Sequence, residues 1–229
     1  MIDIFERLAP SYGRVVRKLA LDTWYDRANV NDFLHKADYF RRRYERELVA
    51  YFREQGYTFN LQRIKTLSNR WFADQVTTSR KLVTLTDLKK GKLTEKLEEL
   101  DQETRADVLR LLQGGRVEGR VAPVVSFAEN LEARAIQIGE DSAFEFGRDL
   151  NHAAVSDTSD TYDWTSQEDR DVRPTHRVLN RKTFSYLNPP TTVDKYGHRH
   201  TGNPGTDWGC RCYEKPSNRK PLMNFIAKE

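Results

Sequence analysis

The chain has 229 residues and a formal net charge of +4, with 38% hydrophobic residues, 31% charged residues and a mean hydropathy of -0.78. That is polar for a globular protein, but an aromatic content of 11% excludes a disordered chain. No run of about 18 apolar residues is present, which excludes a transmembrane helix, so no membrane partner is expected. The start, Met-Ile-Asp-Ile-Phe-Glu-Arg, lacks the charged and apolar regions of a signal peptide. Cys210 and Cys212 are one residue apart, and a bridge between them would need a strained ring. Free thiols and a reducing cytoplasm are the expectation.

The elements follow in chain order. Residues 3–55 read as helical, with Phe5, Leu8, Val15, Val16 and Leu19 at three- and four-residue steps and a break at Pro10 and Gly13. A second stripe, Phe33, Ala37, Phe40, Tyr44, Leu48, Tyr51 and Phe52, gives a helix with Asn31 as N-cap and Gly56 as stop. Residues 60–82 form another helix through Leu61, Ile64, Leu67, Trp71, Phe72 and Val76. Thr94 to Leu112 is amphipathic and ends at Gly114-Gly115. Val117 to Val125 is a short segment broken by Pro123, and Phe127 to Leu150 is a further helix carrying Leu131, Ala135, Ile138, Ala143 and Phe146. Near Ser156 the character changes. Pro174, Pro189, Pro190, Pro204 and Pro216 preclude long helices. The fold class is therefore α+β: a mostly helical N-terminal body over 1–126 and a small, loop-rich C-terminal unit with short strands over 127–229.

Charge is segregated along the chain. Residues 1–90 hold 18 Lys/Arg against 11 Asp/Glu, residues 91–172 hold 9 against 19, and residues 173–229 hold 11 against 4. Basic ends around an acidic middle suit contact with double-stranded DNA through Arg41, Arg42, Arg43, Lys89, Lys90, Arg219 and Lys220. Such blocks are equally what solvated helix faces look like.

Two blocks stand out in the last third. One is Trp164-Thr-Ser-Gln-Glu-Asp169-Arg-Asp-Val-Arg173-Pro174-Thr-His176-Arg-Val-Leu179-Asn; the other, about thirty residues on, is Pro204-Gly-Thr-Asp207-Trp208-Gly-Cys210-Arg211-Cys212-Tyr213. Together, with Pro189-Pro190 between them and Arg134-Ala135-Ile-Gln-Ile138 upstream, they resemble the signature of the phage Mu F-like head-morphogenesis family. The resemblance covers roughly residues 130–216. The chain departs from the family pattern at Gly139-Glu140-Asp141-Ser142 and at Gly209.

In that family the positions matching Arg173 and His176 are often both Cys and the position matching Asp207 is often His, a four-ligand zinc pattern. Carried over residue by residue, the resemblance implies His176, Asp207, Cys210 and Cys212 as ligands, with Arg173 at a lost ligand position. Two arrangements stay open. In one, zinc is bound. In the other there is no cofactor: Arg173 pairs with Asp169 or Asp207, His176 bonds a backbone carbonyl, and the thiols act as small hydrophobes. In either case the two blocks are expected to meet in space. Trp164, Phe184, Trp208 and Tyr213 are read as core of the small unit, and Trp24 and Trp71 as helical core. His198 and His200 fall in a loop or hairpin tip, and Lys195, Tyr196 and Arg199 beside them suit a nucleic acid, a partner protein or plain solvent.

The resemblance implies a non-enzymatic minor head protein of a tailed phage. It would associate with the portal protein and with capsid and scaffold proteins in the host cytoplasm, then reside at the portal vertex or head interior of the virion, with a role in assembly, DNA packaging or ejection. The alternatives are a non-specific DNA-binding protein with a zinc-type C-terminal fold and, behind it, a nuclease or toxin.

Overall fold

A computed structural model describes residues 2–24, 28–98, 102, 122–168, 170, 172–207 and 210–228. Four helices make up most of it: α1 (Ile2–Trp24), α2 (Val30–Glu54), α3 (Leu61–Glu98) and α4 (Ala122–Thr158). After them come β1 (Thr161–Thr165), the short α5 (Pro174–Leu179), β2 (Thr183–Ser185), β3 (Thr191–Val193), β4 (Arg199–Thr201), β5 (Tyr213–Pro216) and β6 (Ile226–Lys228). The protein is α+β, with a helical N-terminal body and short strands in the C-terminal region.

The helix ends differ from the sequence expectation in instructive ways. The cap of α2 is Asn29, not Asn31: its Oδ1 accepts the Asp32 N–H at 3.0 Å, while Asn31 already lies inside the helix. The stop at Gly56 stands. Tyr57 N–H reaches the Phe52 carbonyl, Gly56 N–H reaches that of Arg53, and the Tyr57 and Phe52 rings stack at 5.7 Å. Neither Pro10 nor Gly13 breaks α1, because the stripe Leu8, Ala9, Tyr12, Val16 and Leu19 is buried and outweighs one lost backbone bond. α3 runs on past residue 82 to Glu98, so Thr94 to Glu98 belong to it, and the rest of the expected Thr94–Leu112 helix and the Gly114-Gly115 stop fall outside the described residues except for Gln102. α4 begins at Ala122, ahead of the expected Phe127. Pro123 sits in its first turn, where a missing N–H costs nothing, so it opens the helix instead of breaking a segment.

The residues group into two compact units made of alternating chain segments: 1–6, 42–71 and 143–229 in one, 7–41 and 72–142 in the other. The sequence reading divides the chain once, after residue 126. Among the described residues, every element of the second unit is a helix. Its core holds Tyr12, whose ring stacks on Phe40 at 4.6 Å and whose hydroxyl donates to Gln75 Oε1 at 2.8 Å; Gln75 in turn donates to Ser142. There α1 and α4 approach backbone to backbone: a Cβ on Gly139 would lie 2.7 Å from the Gly13 Cα. Only glycine permits that crossing.

The first unit joins helical residues to the strands. Trp71 stacks on Phe146 at 4.6 Å and Tyr44 meets Phe146 edge-on, so Trp71 is helical core as expected; the side chain of Trp24 lies outside the described set. Asp157, at the end of α4, accepts the N–H of Asn60 and the guanidinium of Arg63 at the start of α3. The strands form two sheets. The first, ordered β2-β1-β5, is antiparallel, and its alternation turns Tyr162 and Trp164 inward. The second, ordered β4-β3-β6, is mixed, β3 pairing antiparallel with β4 and parallel with β6. Val155, Tyr162, Trp164, Leu179, Phe184, Cys210, Cys212 and Ala227 close one small core, with Tyr213 also buried.

Candidate metal centre

The two sequence blocks meet. Pro174 starts α5 at a position that needs no N–H donor, and His176, two residues on within the first turn, is buried. The chain leaves α5 through Asn180 and Arg181 and is tied back to β1, where Trp164 exchanges backbone bonds with Arg181 and Lys182. From the other block, a turn closed by Cys210 N–H on the Asp207 carbonyl carries both thiols to the same place. Arg148 of α4 holds this turn by donating to the Cys210 carbonyl at 2.7 Å.

His176 Nδ1 lies 3.4 Å from Cys210 Sγ and 3.7 Å from Cys212 Sγ. All three residues are buried, none more than 5% exposed. Around one tetrahedral zinc, with Zn–S near 2.3 Å and Zn–N near 2.05 Å, a nitrogen and a sulfur ligand stand about 3.6 Å apart. The two distances therefore match the edges of a zinc tetrahedron, and His176, Cys210 and Cys212 together form a possible metal-binding cluster.

The opposite ring nitrogen has a separate role. His176 Nε2 is buried without a hydrogen-bond partner among the described residues and lies 3.5 Å from Asp207 Oδ2. Asp207 thus sits behind the imidazole, on the side away from the sulfurs, and does not take the fourth ligand position that the resemblance implies. Its carboxylate is paired with the Arg173 guanidinium. A carboxylate behind a ligating imidazole is the usual outer partner that fixes the tautomer. His176 does not bond the backbone carbonyl expected for the metal-free arrangement.

The thiols are not equivalent. Hydrogen bonding from Cys212, and then from His176, pulls the Cys210 thiol well below its ordinary value against the cost of burial. The bond to Cys210 and burial push the Cys212 thiol up, opposed by the Trp164 indole and the Arg173 charge. The two thiols thus shift in opposite directions, as two acids in contact do. The Trp164 ring meets His176 edge-on at 5.3 Å, and its buried indole N–H has no oxygen or nitrogen acceptor among the described residues. A soft donor set of one imidazole and two sulfurs, with a carboxylate behind the imidazole, fits a thiolate-binding metal such as zinc.

The remaining motif positions are less informative. Arg211, between the cysteines, is half-buried, and Pro174 is exposed at the start of α5. Asp169 and Trp208 lie outside the described residues. Of the residues suggested for DNA, Arg41 is bound to Asp38 with its side chain only 15% exposed, and Arg43 is bound to Glu47. Arg219 is held by Asp163 and the Arg181 carbonyl, whereas Arg42 and Lys220 are exposed. Lys89 and Lys90 lie on α3, and their side chains are outside the described set.

Sequence reasoning missed a second buried cluster. Glu214 of β5, 2% exposed, accepts from the Tyr186 hydroxyl at 2.7 Å and faces His152 Nδ1 with both oxygens, at 3.0 and 3.1 Å. Nothing in Tyr213-Glu214-Lys215 marks the middle residue as inward except strand alternation, and a charge is the last residue type that alternation assigns inside. Comparison with known proteins gives no match: no family model, no curated protein and no solved structure is similar to this chain.

Proposed function

We propose that this chain is a structural component of a tailed-phage head, of the Mu F-like type, which acts by binding the portal and the capsid interior and not by catalysis. The observation that supports this most is the meeting of the Trp164–Asn180 and Pro204–Tyr213 blocks around His176. Residues about thirty positions apart are joined there into one buried staple, which is what a signature of scattered residues requires if its purpose is architectural. A buried imidazole and two buried thiols present nothing to a substrate, which argues against a thiolate nucleophile.

The staple is read as a zinc site with His176, Cys210 and Cys212 as protein ligands and Asp207 as the outer carboxylate. Zinc would supply binding energy that holds α5 to the segment before β5, in a unit with a small core. The Arg173–Asp207 pair is neutral as a whole, so Arg173 is compatible with a cation beside it. The test has two parts. Metal analysis of the purified chain is expected to find one zinc per chain, lost on H176A; a metal-free chain after refolding with zinc overturns the staple. Quantitative mass spectrometry of purified virions and a pull-down with portal protein are expected to find the chain at low copy number and bound. Absence from both virions and procapsids overturns the head assignment.

The second reading is a DNA-binding protein with the same C-terminal fold. It is favoured by three exposed cations, Arg199 and Lys228 of the second sheet and Lys195 of the β3–β4 turn, which have no acidic partner among the described residues.

A further inference from the structure

The β4-β3-β6 sheet has one covered face and one open one. Thr192 and Ala227, which are in register, are buried on the side against which α5 packs. Residues in register across a sheet share a face, and the next residue along turns to the other. Arg199, Val193 and Lys228 are in register with one another, so Arg199 and Lys228 flank Val193 on the open face. Both are exposed. Just beyond them the β3–β4 turn carries Lys195 and Tyr196, the tyrosine 74% exposed.

This turn is ordered from within. Asp194 Oδ1 accepts the N–H groups of Tyr196 and His198, each at 2.9 Å, and Oδ2 faces His198 Nδ1 at 2.9 Å. The one carboxylate of the hairpin is thus committed to closing the turn and does not neutralise the neighbouring cations. Among the described residues no carboxylate lies within ion-pair distance of Lys195, Arg199 or Lys228. Lys195 Nζ sits 5.1 Å from the Tyr196 ring centroid, a cation–ring contact within the turn.

Three cations without an acidic partner among the described residues, Lys195 and Arg199 on the hairpin and Lys228 on the adjoining β6, stand with an exposed tyrosine beside a sheet face carrying Thr191, Thr201 and Ile226, and this is the chemistry of a phosphate-backbone contact. Charge fixes affinity there, and hydroxyls supply donors. We propose that this open face binds the phosphodiester backbone of nucleic acid without sequence preference, through Lys195, Arg199, Lys228 and the Tyr196 hydroxyl. The inference does not depend on the head-assembly reading, and it relocates nucleic-acid contact away from Arg41 and Arg43, whose charges are already paired on their own helix.

The test titrates the full chain into labelled oligonucleotides, duplex in one arm and single-stranded in the other, at about 50 and about 200 mM salt. The variant Lys195→Ala/Arg199→Ala/Lys228→Ala is expected to bind at least about tenfold more weakly at the lower salt. Its slope of log affinity against log salt should fall by about 2.7 on duplex and about 2.1 on single strands, the values for three lost phosphate contacts. Whichever arm binds more tightly identifies the form of nucleic acid held. The control Arg53→Ala/Lys65→Ala/Lys81→Ala removes the same charge from exposed helix positions and is expected to leave both values unchanged. Tyr196→Phe is expected to weaken binding by a few-fold without changing the salt slope. No binding by the unaltered chain at about 50 mM salt overturns the proposal, as does an equal loss in the control. Unchanged melting of each variant shows that the fold is intact.

Discussion

Glu214 and His152 form a buried-to-surface pair: the carboxylate is almost fully enclosed, while the imidazole that meets both its oxygens has a side chain 42% exposed. The hydrogen bond to Glu214 raises the His152 pKa above its ordinary 6.5, against the cost of partial burial. Asp149 pushes the same way and Arg63 opposes. A raised folded-state pKa means that the pair contributes fully below about pH 6.5 and that its contribution is lost as pH rises through the folded value. Because water screens His152, the effect is about 1 kcal/mol or less. Thermal melting between pH 6 and pH 8.5 is expected to show a decline in the unaltered chain that is smaller in His152→Gln. Identical pH slopes for the two proteins would remove this pair as the cause.

Arg173 and Asp207 are both partly exposed, 39% and 28% at their side chains. A fully buried pair broken on one side costs about 3 kcal/mol or more, but a screened pair costs about 1 kcal/mol. Arg173→Ala is expected to fall at the lower figure in urea unfolding. A loss near 3 kcal/mol would mean that the guanidinium has a further structural role beyond Asp207.

Asp207→Asn separates a ligand from an outer partner. As an outer partner behind His176 Nε2, its loss should weaken zinc about 10- to 100-fold while leaving the stoichiometry at one. The cobalt-substituted chain should keep its thiolate charge-transfer bands and its ligand-field spectrum. A changed coordination spectrum would instead place the carboxylate on the metal.

Gly139→Ala tests the helix crossing. The added methyl would meet the Gly13 backbone and the Val16 side chain at 2.7 and 2.8 Å, and backbone cannot step aside as a side chain can. Overpacking of this kind costs about 1 to 3 kcal/mol. Gly91→Ala is the control, since a Cβ there meets nothing within 4 Å. It is expected to be neutral or stabilising by up to about 1 kcal/mol. Equal stability of the two variants would show that α1 and α4 do not approach at Gly139.

The helical stripe Phe33 to Phe52 and the Gly56 stop were legible in the sequence because both depend on neighbours within one or two turns. Proline spacing after Pro174 was legible for the same reason: a missing N–H forbids long helices wherever the chain goes. The α+β division follows from those local facts. The meeting of His176 with Cys210 and Cys212 was legible only through the resemblance of the two blocks, since no local rule joins positions 34 and 36 residues apart. Which ring nitrogen faces the sulfurs, and that Asp207 stands behind the ring, was decided by how α5 enters the core. The same holds for Glu214. Its enclosure depends on His152 and Tyr186, 62 and 28 residues away, turning toward it. A sequence records a charge, but whether that charge is buried and answered is settled only when distant segments close around it.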